Sequence, residues 1–356
     1  MFKAEELFQN ITDKNHPDET VLTIIQGKGT LPREQAGRNI HYDDASLSNY
    51  KKVEQGDFII HLRSFEGGLE MANEAGIVSP AYTILRCKRP HSSLFYDAYF
   101  HTDEFINHNL SKSVEGIRDG RQISYEAFKW LGIPYCEPTE QEKISNLFAA
   151  LNERIAKQRD LIEALKKYKR GAVTHILSGK STAFAVTSSW TEQTLSELCS
   201  EFRSGRNISA TLIHQNGNYP VYGGNGIRGY CNQYSHDGEY VVVGRQGALC
   251  GNVRLIQGKN YLSEHAIAVQ ANEANETKFL LYLLDYMKLG QYSDQGAQPG
   301  LAVNKLLRLK CMVPDKQTQI KIASFLMSFD FQISTQERML MLLNNQRRAL
   351  LQQLFI

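Results

Sequence analysis

The chain has 356 residues, 42% of them hydrophobic, and a formal net charge of +2. That length allows two or three domains, and no apolar run approaches the roughly 18 residues that a membrane span requires. Six scattered cysteines without a Cys-x-x-Cys pair exclude a zinc ribbon or a disulfide framework and, with an N-terminus that lacks a signal pattern, favour a cytoplasmic protein.

The first part of the chain, 1–137, is predicted to be a mixed α/β domain. Short runs rich in β-branched residues at 21–25, 57–62 and 81–87 predict strands separated by turns. The aromatic-rich segment 93–110 has helical spacing and predicts a buried helix.

Residues 138–177 are predicted to form one long helix, and 314–356 repeat its sequence 178 positions later. A period near half the chain length indicates two copies of one unit and a pseudo-two-fold molecule. Residues identical in the two copies include Gln141 and Gln319, Lys143 and Lys321, Ile144 and Ile322, Ile155 and Ile333, Gln158 and Gln336, Leu165 and Leu343, and Arg170 and Arg348.

Both long helices carry apolar residues at alternating spacings of three and four, which predict the seam of an antiparallel coiled coil. A helix packed only on its own domain would show similar spacing, but two copies with the same polar interruption favour pairing. We expect Gln158 and Gln336 to meet in the seam and to fix its register. The seam positions are Phe148, Leu151, Ile155, Gln158, Ile162, Leu165, Leu326, Phe329, Ile333, Gln336, Leu340 and Leu343.

Between the copies lie a small, polar linker at 178–189 and a second domain at 190–313. The runs YPVYG, EYVVVGR and HAIAVQ predict strands, and KFLLYLLDYMKL at 278–289 predicts a helix. That helix takes the place that the aromatic segment has in the first domain, and 298–314 mirrors the residues before the first long helix.

Two motifs that suggest nucleotide binding lack the required context. Gly224–Gly229 match Gly-x-Gly-x-x-Gly, but a turn and another strand follow where a dinucleotide site needs a helix. Gly179-Lys180-Ser181 lack the earlier glycine of a P-loop, because Thr174 stands there. With no metal-ligand spacing among the histidines and no catalytic cluster, the pattern favours a binding protein over a catalyst.

These segments together resemble the specificity subunit of type I restriction–modification systems. The resemblance rests on LRSFEGGLEMANEAGIVSPAY, GIRDGRQISYEAFK, YPVYGGNGIRGY, YVVVGRQGALCGNV, YLSEHAIAV and QGAQPGLAVNKLLRLKCMVP, in that order, and covers nearly the whole chain. One departure is Thr318, which stands where the first copy has the helix-start acid Glu140.

The resemblance implies an α+β fold, in which two mixed α/β target-recognition domains are joined by two long antiparallel coiled-coil helices. It also implies that each domain reads one half of a split sequence in double-stranded DNA. Two methyltransferase subunits and the restriction (motor-nuclease) subunits would be the partners. The chain itself would be non-catalytic, without metal or cofactor, and S-adenosylmethionine and ATP would bind the partners only.

DNA contacts are expected from polar side chains on loops, because arginine matches the acceptors of guanine, and asparagine or glutamine matches adenine. About half of the candidates are expected to touch DNA, some of them at phosphates only. The candidates are Arg63, Ser64, Arg118, Arg121 and Gln122 in the first domain, and Asn225, Arg228, Arg245, Gln246, His265 and Gln298 in the second.

Two other classes of function stay open at this stage. A standalone DNA-modifying enzyme would consume a methyl donor or cleave DNA by itself, whereas a protein-only coiled-coil scaffold would show no salt-dependent DNA binding. The sequence does not reveal the DNA target, the spacer length or the stoichiometry of the complex.

Overall fold

The computed structural model describes residues 1–36, 44–116, 121–178, 189–247, 249–294 and 300–355. The predicted linker and the Gly179-Lys180-Ser181 motif lie outside them, apart from the linker's end residues. The chain forms two compact units: the first unit comprises Met1–Arg159 with Arg338–Ile356, and the second comprises Asp160–Glu337. Each unit therefore contains part of both long helices, and the predicted domain limits stay a prediction.

Helices of very unequal length alternate with strands along the chain. The α-helices are α1 Ala4–Leu7, α2 Ser64–Gly67, α3 Ser93–Phe100, α4 Tyr125–Phe128, α5 Pro138–Leu177, α6 Leu195–Leu198, α7 Thr277–Tyr286, α8 Val303–Leu306 and α9 Lys316–Phe355. The strands of the first unit are β1 Phe2–Lys3, β2 Phe8–Ile11, β3 Leu22–Ile25, β4 Gly29–Pro32, β5 Lys51–Val53, β6 Phe58–Ile60, β7 Glu70–Met71, β8 Gly76–Val78, β9 Thr83–Cys87, β10 Val114–Glu115, β11 Gln122–Ile123 and β12 Gly132–Ile133. Those of the second unit are β13 Thr191–Thr194, β14 Cys199–Ser204, β15 Tyr219–Gly223, β16 Gly226–Cys231, β17 His236–Gly244, β18 Val253–Leu262, β19 Ala266–Ala271 and β20 Lys310–Val313.

The first unit is built on an antiparallel sheet with the strand order β2-β9-β6-β7. Its core is aromatic: Phe8, Phe58, Tyr96 and Phe100 are completely buried, and their rings pack edge to face, tilted or stacked. The end of α9 completes this core, because the Phe355 ring lies within the aromatic cluster of α3.

Two predictions for the first unit differ from the structure. The turn predicted between the runs 21–25 and 57–62 contains β4, which pairs with β3 in a hairpin held by the long-range hydrogen bond from Gly29 to Glu70. The predicted helix at 93–110 is divided: α3 ends at Phe100, and a π-helix at Glu104–Asn109 follows.

The second unit is built on a sheet with the order β14-β19-β17-β18-β15-β16. All neighbours are antiparallel except β15 and β18, which run parallel. The glycine motif connects β15 to β16 as a hairpin rather than leading into a helix. Helix α7 buries Phe279, Leu280 and Leu283 in the core that the sheet shares with the long helices.

The long helices α5 and α9 run antiparallel, as predicted, and each unit shows this independently. In the first unit, Phe148 stacks on Phe355, whereas Leu151 and Ile155 cluster with Leu343. In the second unit, Lys166 pairs with Glu337 at 2.9 Å and Lys169 with Asp330 at 2.5 Å. In both units, residues later in α5 contact residues earlier in α9, as they must in antiparallel helices.

Burial along α5 and α9 follows the predicted seam. The buried seam residues are Phe148, Leu151, Ile155, Ile162, Leu326, Phe329, Ile333 and Leu343, and the half-buried ones are Gln158, Leu165, Gln336 and Leu340. The direct contact of Gln158 with Gln336 stays a prediction.

Local sequence explains where these helices begin. Pro138 starts α5, where its missing N–H and fixed φ are compatible with the first turn. Asp315 precedes α9, and its carboxylate accepts from the Thr318 backbone N–H at 3.0 Å. This hydrogen bond, together with one from the Thr318 hydroxyl, lowers the pKa of Asp315. The second copy therefore keeps an acid at its helix start despite the loss at Thr318.

The sequence repeat is reproduced by the backbone hydrogen bonds of the two units. In each, a glutamate in the first turn of a short helix accepts from the backbone N–H three residues before it: Glu6 from Lys3 at 3.0 Å, and Glu197 from Thr194 at 2.7 Å. Three long-range backbone hydrogen bonds of these short helices also recur in both units. In the first unit, the N–H groups of Ala4, Glu5 and Lys88 donate to the carbonyl oxygens of Leu131, Lys129 and Leu7, respectively. In the second unit, those of Leu195, Ser196 and Asn272 donate to Leu309, Leu307 and Leu198.

Within the described residues, neither long helix nor any shorter one combines the length and apolarity of a transmembrane segment.

Candidate nucleic-acid interface

In the second unit, a tight turn at Gly224 and Asn225 joins β15 to β16 and packs backbone to backbone against the end of β17. A β-carbon on Gly224 would lie 2.5 Å from the Gln246 carbonyl oxygen, and one on Gly244 would lie 2.2 Å from the Gly224 oxygen. Gly226 has a φ of 98°, in the region that favours glycine. The glycines therefore allow close backbone contact between the turn and the end of β17, and the Asn225 side chain is exposed.

Arg245, Gln246 and His265 are brought together beside this turn. The Arg245 guanidinium donates to the carbonyl oxygens of Leu301 at 3.4 Å and Glu264 at 3.3 Å. His265 hydrogen-bonds through Nδ1 to the Gln246 side chain, and its Nε2 lies 3.0 Å from a Glu264 carboxylate oxygen. All three candidates are half-buried, so their first effect is to order the loop that carries them.

The exposed cations of this region are Arg228 and Arg254. The Arg228 side chain crosses Gly223, and the Arg254 guanidinium lies over Gly226, where an added β-carbon would be 3.1 Å from Nη1. Asn225 and Arg254 line one cleft of about 180 Å³. Sequence reasoning did not select Arg254, because only the non-local pairing of β18 with β15 and β17 brings it beside the turn.

In the first unit, the candidates gather around the short helix α2. Arg63 is exposed immediately before it. The Arg121 guanidinium lies 4.2 Å from the centre of the Phe65 ring and 3.9 Å from the Glu66 carboxylate. Gln122 is exposed in β11.

Ser64 differs from its neighbours, because its side chain is completely buried and accepts from the His61 backbone N–H at 2.9 Å. It has no surface to offer DNA in this conformation, and its hydroxyl stabilises the turn before α2. Arg118 and Gln298 lie outside the described residues.

A buried ionisable network, which sequence reasoning did not find, supports the same part of the first unit. The fully buried Glu70 accepts from the backbone N–H groups of Gly27 at 2.7 Å and Gly29 at 2.9 Å, and from His101 at 3.4 Å. Burial alone would raise the pKa of Glu70, but these hydrogen bonds and the charge of His101 lower it. Glu70 thus holds the β3–β4 hairpin to the sheet as a buried carboxylate.

No group of His, Cys, Asp and Glu among the described residues could hold a metal ion. Together, the two units present exposed arginine and amide side chains on ordered loops, an arrangement suited to phosphates and base edges.

Comparison with known proteins finds similarity to one group of proteins. Residues 187–343 match the model of the type I restriction modification DNA specificity domain. The EcoprrI type I restriction enzyme specificity subunit of Escherichia coli is 46% identical over 142 residues, which are 39% of this chain and 35% of that protein. The second half of the chain is thus similar to the DNA specificity domain of type I specificity subunits. The resemblance that the sequence indicated is confirmed.

More distant relatives agree with this family. A putative type I specificity subunit of Mycoplasma pneumoniae is 28% identical over 141 residues, or 38% of this chain and 46% of that protein. The matched segments thus span between about a third and a half of the length of these curated relatives.

Solved structures show the same fold over the whole chain. The S subunit of the M. genitalium type I restriction–modification system has a TM-score of 0.65 and 17% identity, covering 100% of this chain and 95% of that one. The HsdS subunit of Thermoanaerobacter tengcongensis has a TM-score of 0.53 and 16% identity, with 99% and 95% covered. The predicted α+β fold, with its paired long helices, is confirmed.

Proposed function

We propose that this chain is the non-catalytic DNA-binding subunit of a type I restriction–modification enzyme, and that it recognises a bipartite target. One half-site would be read by the loops around α2 and the other by the loops around the β15–β16 turn. The observation that carries the proposal is the duplication itself. Two units with matching hydrogen bonds each present exposed arginines and amides at candidate recognition loops.

The long helices are suited to act as a ruler between the half-sites. Each contains 40 residues, and at ~1.5 Å per residue each is about 60 Å long. Half-sites one turn of B-DNA apart are separated by ~34–36 Å. A paired helix of this length is stiff and exceeds that separation, so its length would set the spacer.

The helices also offer a docking surface for two methyltransferase subunits, which would bring S-adenosylmethionine, while the restriction subunits would bring ATP. Phe331 is 73% exposed, Tyr168 65% and Leu161 45%. Large apolar side chains that are exposed on two paired helices are compatible with a protein–protein contact site. This surface supports the proposed partners.

The decisive experiment maps methylated adenines in a host that expresses this chain with its methyltransferase subunit. The expected result is one split motif with a fixed spacer, and no methylation without this chain. A continuous motif, or methylation by this chain alone, would contradict the proposal, and the second outcome would favour a standalone enzyme.

A binding experiment separates DNA recognition from a protein-only scaffold. The complex should bind target DNA with an affinity that falls steeply with salt, because bound phosphates release counterions. Arg228→Ala should weaken that binding, whereas Arg308→Ala, at an exposed arginine between α8 and β20, should change it little. Binding that does not depend on salt would exclude the proposed phosphate contacts.

A further inference from the structure

Gln141, one turn into α5, joins the long helix to the α/β part of the first unit. Its side-chain oxygen accepts from the Ser92 backbone N–H at 3.0 Å, at the start of α3. Its side-chain nitrogen donates to the Cys136 carbonyl oxygen at 2.8 Å, just before α5. The Gln141 amide therefore provides a hydrogen-bond partner for a backbone N–H at the start of α3 and for a backbone carbonyl just before α5.

Gln319 makes the same pair of contacts in the second unit. Its oxygen accepts from the Glu276 backbone N–H at 3.0 Å, at the start of α7, and its nitrogen donates to the Pro314 carbonyl at 2.9 Å. In both copies the carbonyl acceptor lies five residues before the glutamine. Both units thus use the same side-chain connection between the α/β part and the long helix.

Both side chains are inaccessible to solvent, with Gln141 0% exposed and Gln319 1% exposed. An amide without its partners costs free energy in such a place, so the contacts hold the helix in one orientation. Leucine or methionine would fill the volume but would leave the N–H and the carbonyl unsatisfied. Glutamate would lose the donor and bury a charge.

Each unit reinforces its glutamine differently. In the first, Ser145 on α5 hydrogen-bonds through its hydroxyl to the Ser92 hydroxyl at 2.8 Å. In the second, Ala323 occupies the position equivalent to Ser145, and the Gln319 nitrogen donates instead to the Asn275 side-chain oxygen at 2.7 Å. The shared element of the two junctions is therefore the glutamine.

We propose that Gln141 and Gln319 are positioning residues that fix each recognition domain on its long helix, and that spacer length is read accurately because of them. This inference rests on the proposed function. One added base pair moves a half-site by ~3.4 Å and turns it by about 34°. A domain locked to a stiff helix rejects that displacement, whereas a domain that rocks on its helix accepts part of it.

The test uses the complex with its methyltransferase and three DNA substrates, which carry the mapped half-sites with the natural spacer or with one base pair more or fewer. The readout is the ratio of methylation rates on wrong and natural spacers. Gln141→Met, Gln319→Met and the double variant should each raise this ratio, by at least about fivefold in each single variant, because each loses two or more hydrogen bonds. The double variant should show the largest increase.

Controls separate positioning from general stability. Ile84→Val and Val269→Ala change fully buried residues in the core of each unit, and should lower the melting temperature and the overall methylation while the ratio stays constant. If the methionine variants behave like these core variants, the inference is wrong.

Milder variants keep the question answerable if the methionine variants do not fold. Ser145→Ala copies the alanine of the second unit, and Asn275→Ala removes the extra partner of Gln319. Each should raise the wrong-to-natural ratio by a smaller factor, and an unchanged ratio would overturn the inference. A wild-type complex that needs no fixed spacer would instead contradict the proposed function.

Discussion

The arginines of the β15–β16 region differ in what surrounds them, and that difference separates structural from binding roles. Arg245 is half-buried and donates to two carbonyl oxygens, whereas Arg228 is exposed on β16. Buried donors and acceptors that lose their partners destabilise a fold, while exposed side chains contribute little to stability. The same residue type at nearby positions therefore predicts opposite phenotypes.

Arg245→Ala should lower the free energy of unfolding by about 1–3 kcal/mol, because two carbonyl acceptors lose a charged donor. Arg228→Ala should change it by less than about 0.5 kcal/mol and should weaken DNA binding instead. Urea unfolding and salt-dependent binding of both variants check this. Equal loss of stability in the two variants would contradict the assignment.

The Glu70–His101 contact should make the first unit sensitive to pH. Burial alone would lower the pKa of His101, but the Glu70 hydrogen bond and the charge of Asp97 raise it above 6.5. A raised folded-state pKa stabilises the fold fully below the unfolded value, and the stabilisation is lost as pH rises through the folded value. Burial lowers the pKa of His61, which faces the same pair.

Replacing His101 by Ala should therefore cost most stability at slightly acidic pH. The difference in melting temperature between wild type and His101→Ala should shrink as pH rises above about 6.5, the ordinary pKa of histidine. Gln9→Ala, on an exposed residue of β2, serves as a control with no such trend. A difference that grows with pH would show that the Glu70 contact does not favour protonated His101.

At the scale of elements, the heptad pattern and the contacts of the long helices agree. Leu151 and Ile155 cluster with Leu343, and Tyr168 packs on Phe329 with ring centres 5.4 Å apart. Gln158 and Gln336 interrupt this seam as half-buried polar residues. A polar residue in a seam costs stability and specifies alignment.

Replacing both Gln158 and Gln336 by Leu should raise the melting temperature while loosening the alignment of the helices. Cysteine pairs introduced across the seam would report alignment, through the number of registers that become cross-linked. Ser334→Leu, on an exposed face of α9, controls for added hydrophobicity. An unchanged melting temperature with a single register would count against the hypothesis.

At the scale of the whole molecule, the proposed ruler makes the length of α5 and α9 a determinant of specificity. Inserting about four residues in each helix adds roughly one turn, or ~5.4 Å, to the pair. Methylation mapping should then find both half-sites unchanged and a longer spacer. Retention of the original spacer would refute the ruler, and loss of both half-sites would indicate misfolding.

The sequence predicted the features that depend on local chemistry. Pro138, the heptad rows and the repeat of Gln141 as Gln319 indicated two long paired helices, because helix starts and amphipathic faces are encoded within a few turns. It also predicted a turn and a strand, rather than a helix, after Gly224–Gly229. The register of the seam around Gln158 stays a prediction.

The tertiary structure decided which of the candidate residues share a surface. Ser64 and Arg63 are neighbours in sequence, yet one is buried and the other exposed. Arg254 reaches the β15–β16 turn only through the pairing of strands far apart in the chain. Periodicity describes the faces of single elements, whereas burial of a polar side chain depends on which distant backbone groups fold around it. For that reason the sequence by itself determined the long helices and the duplication, and only the folded chain determined the candidate recognition loops and the glutamine junctions.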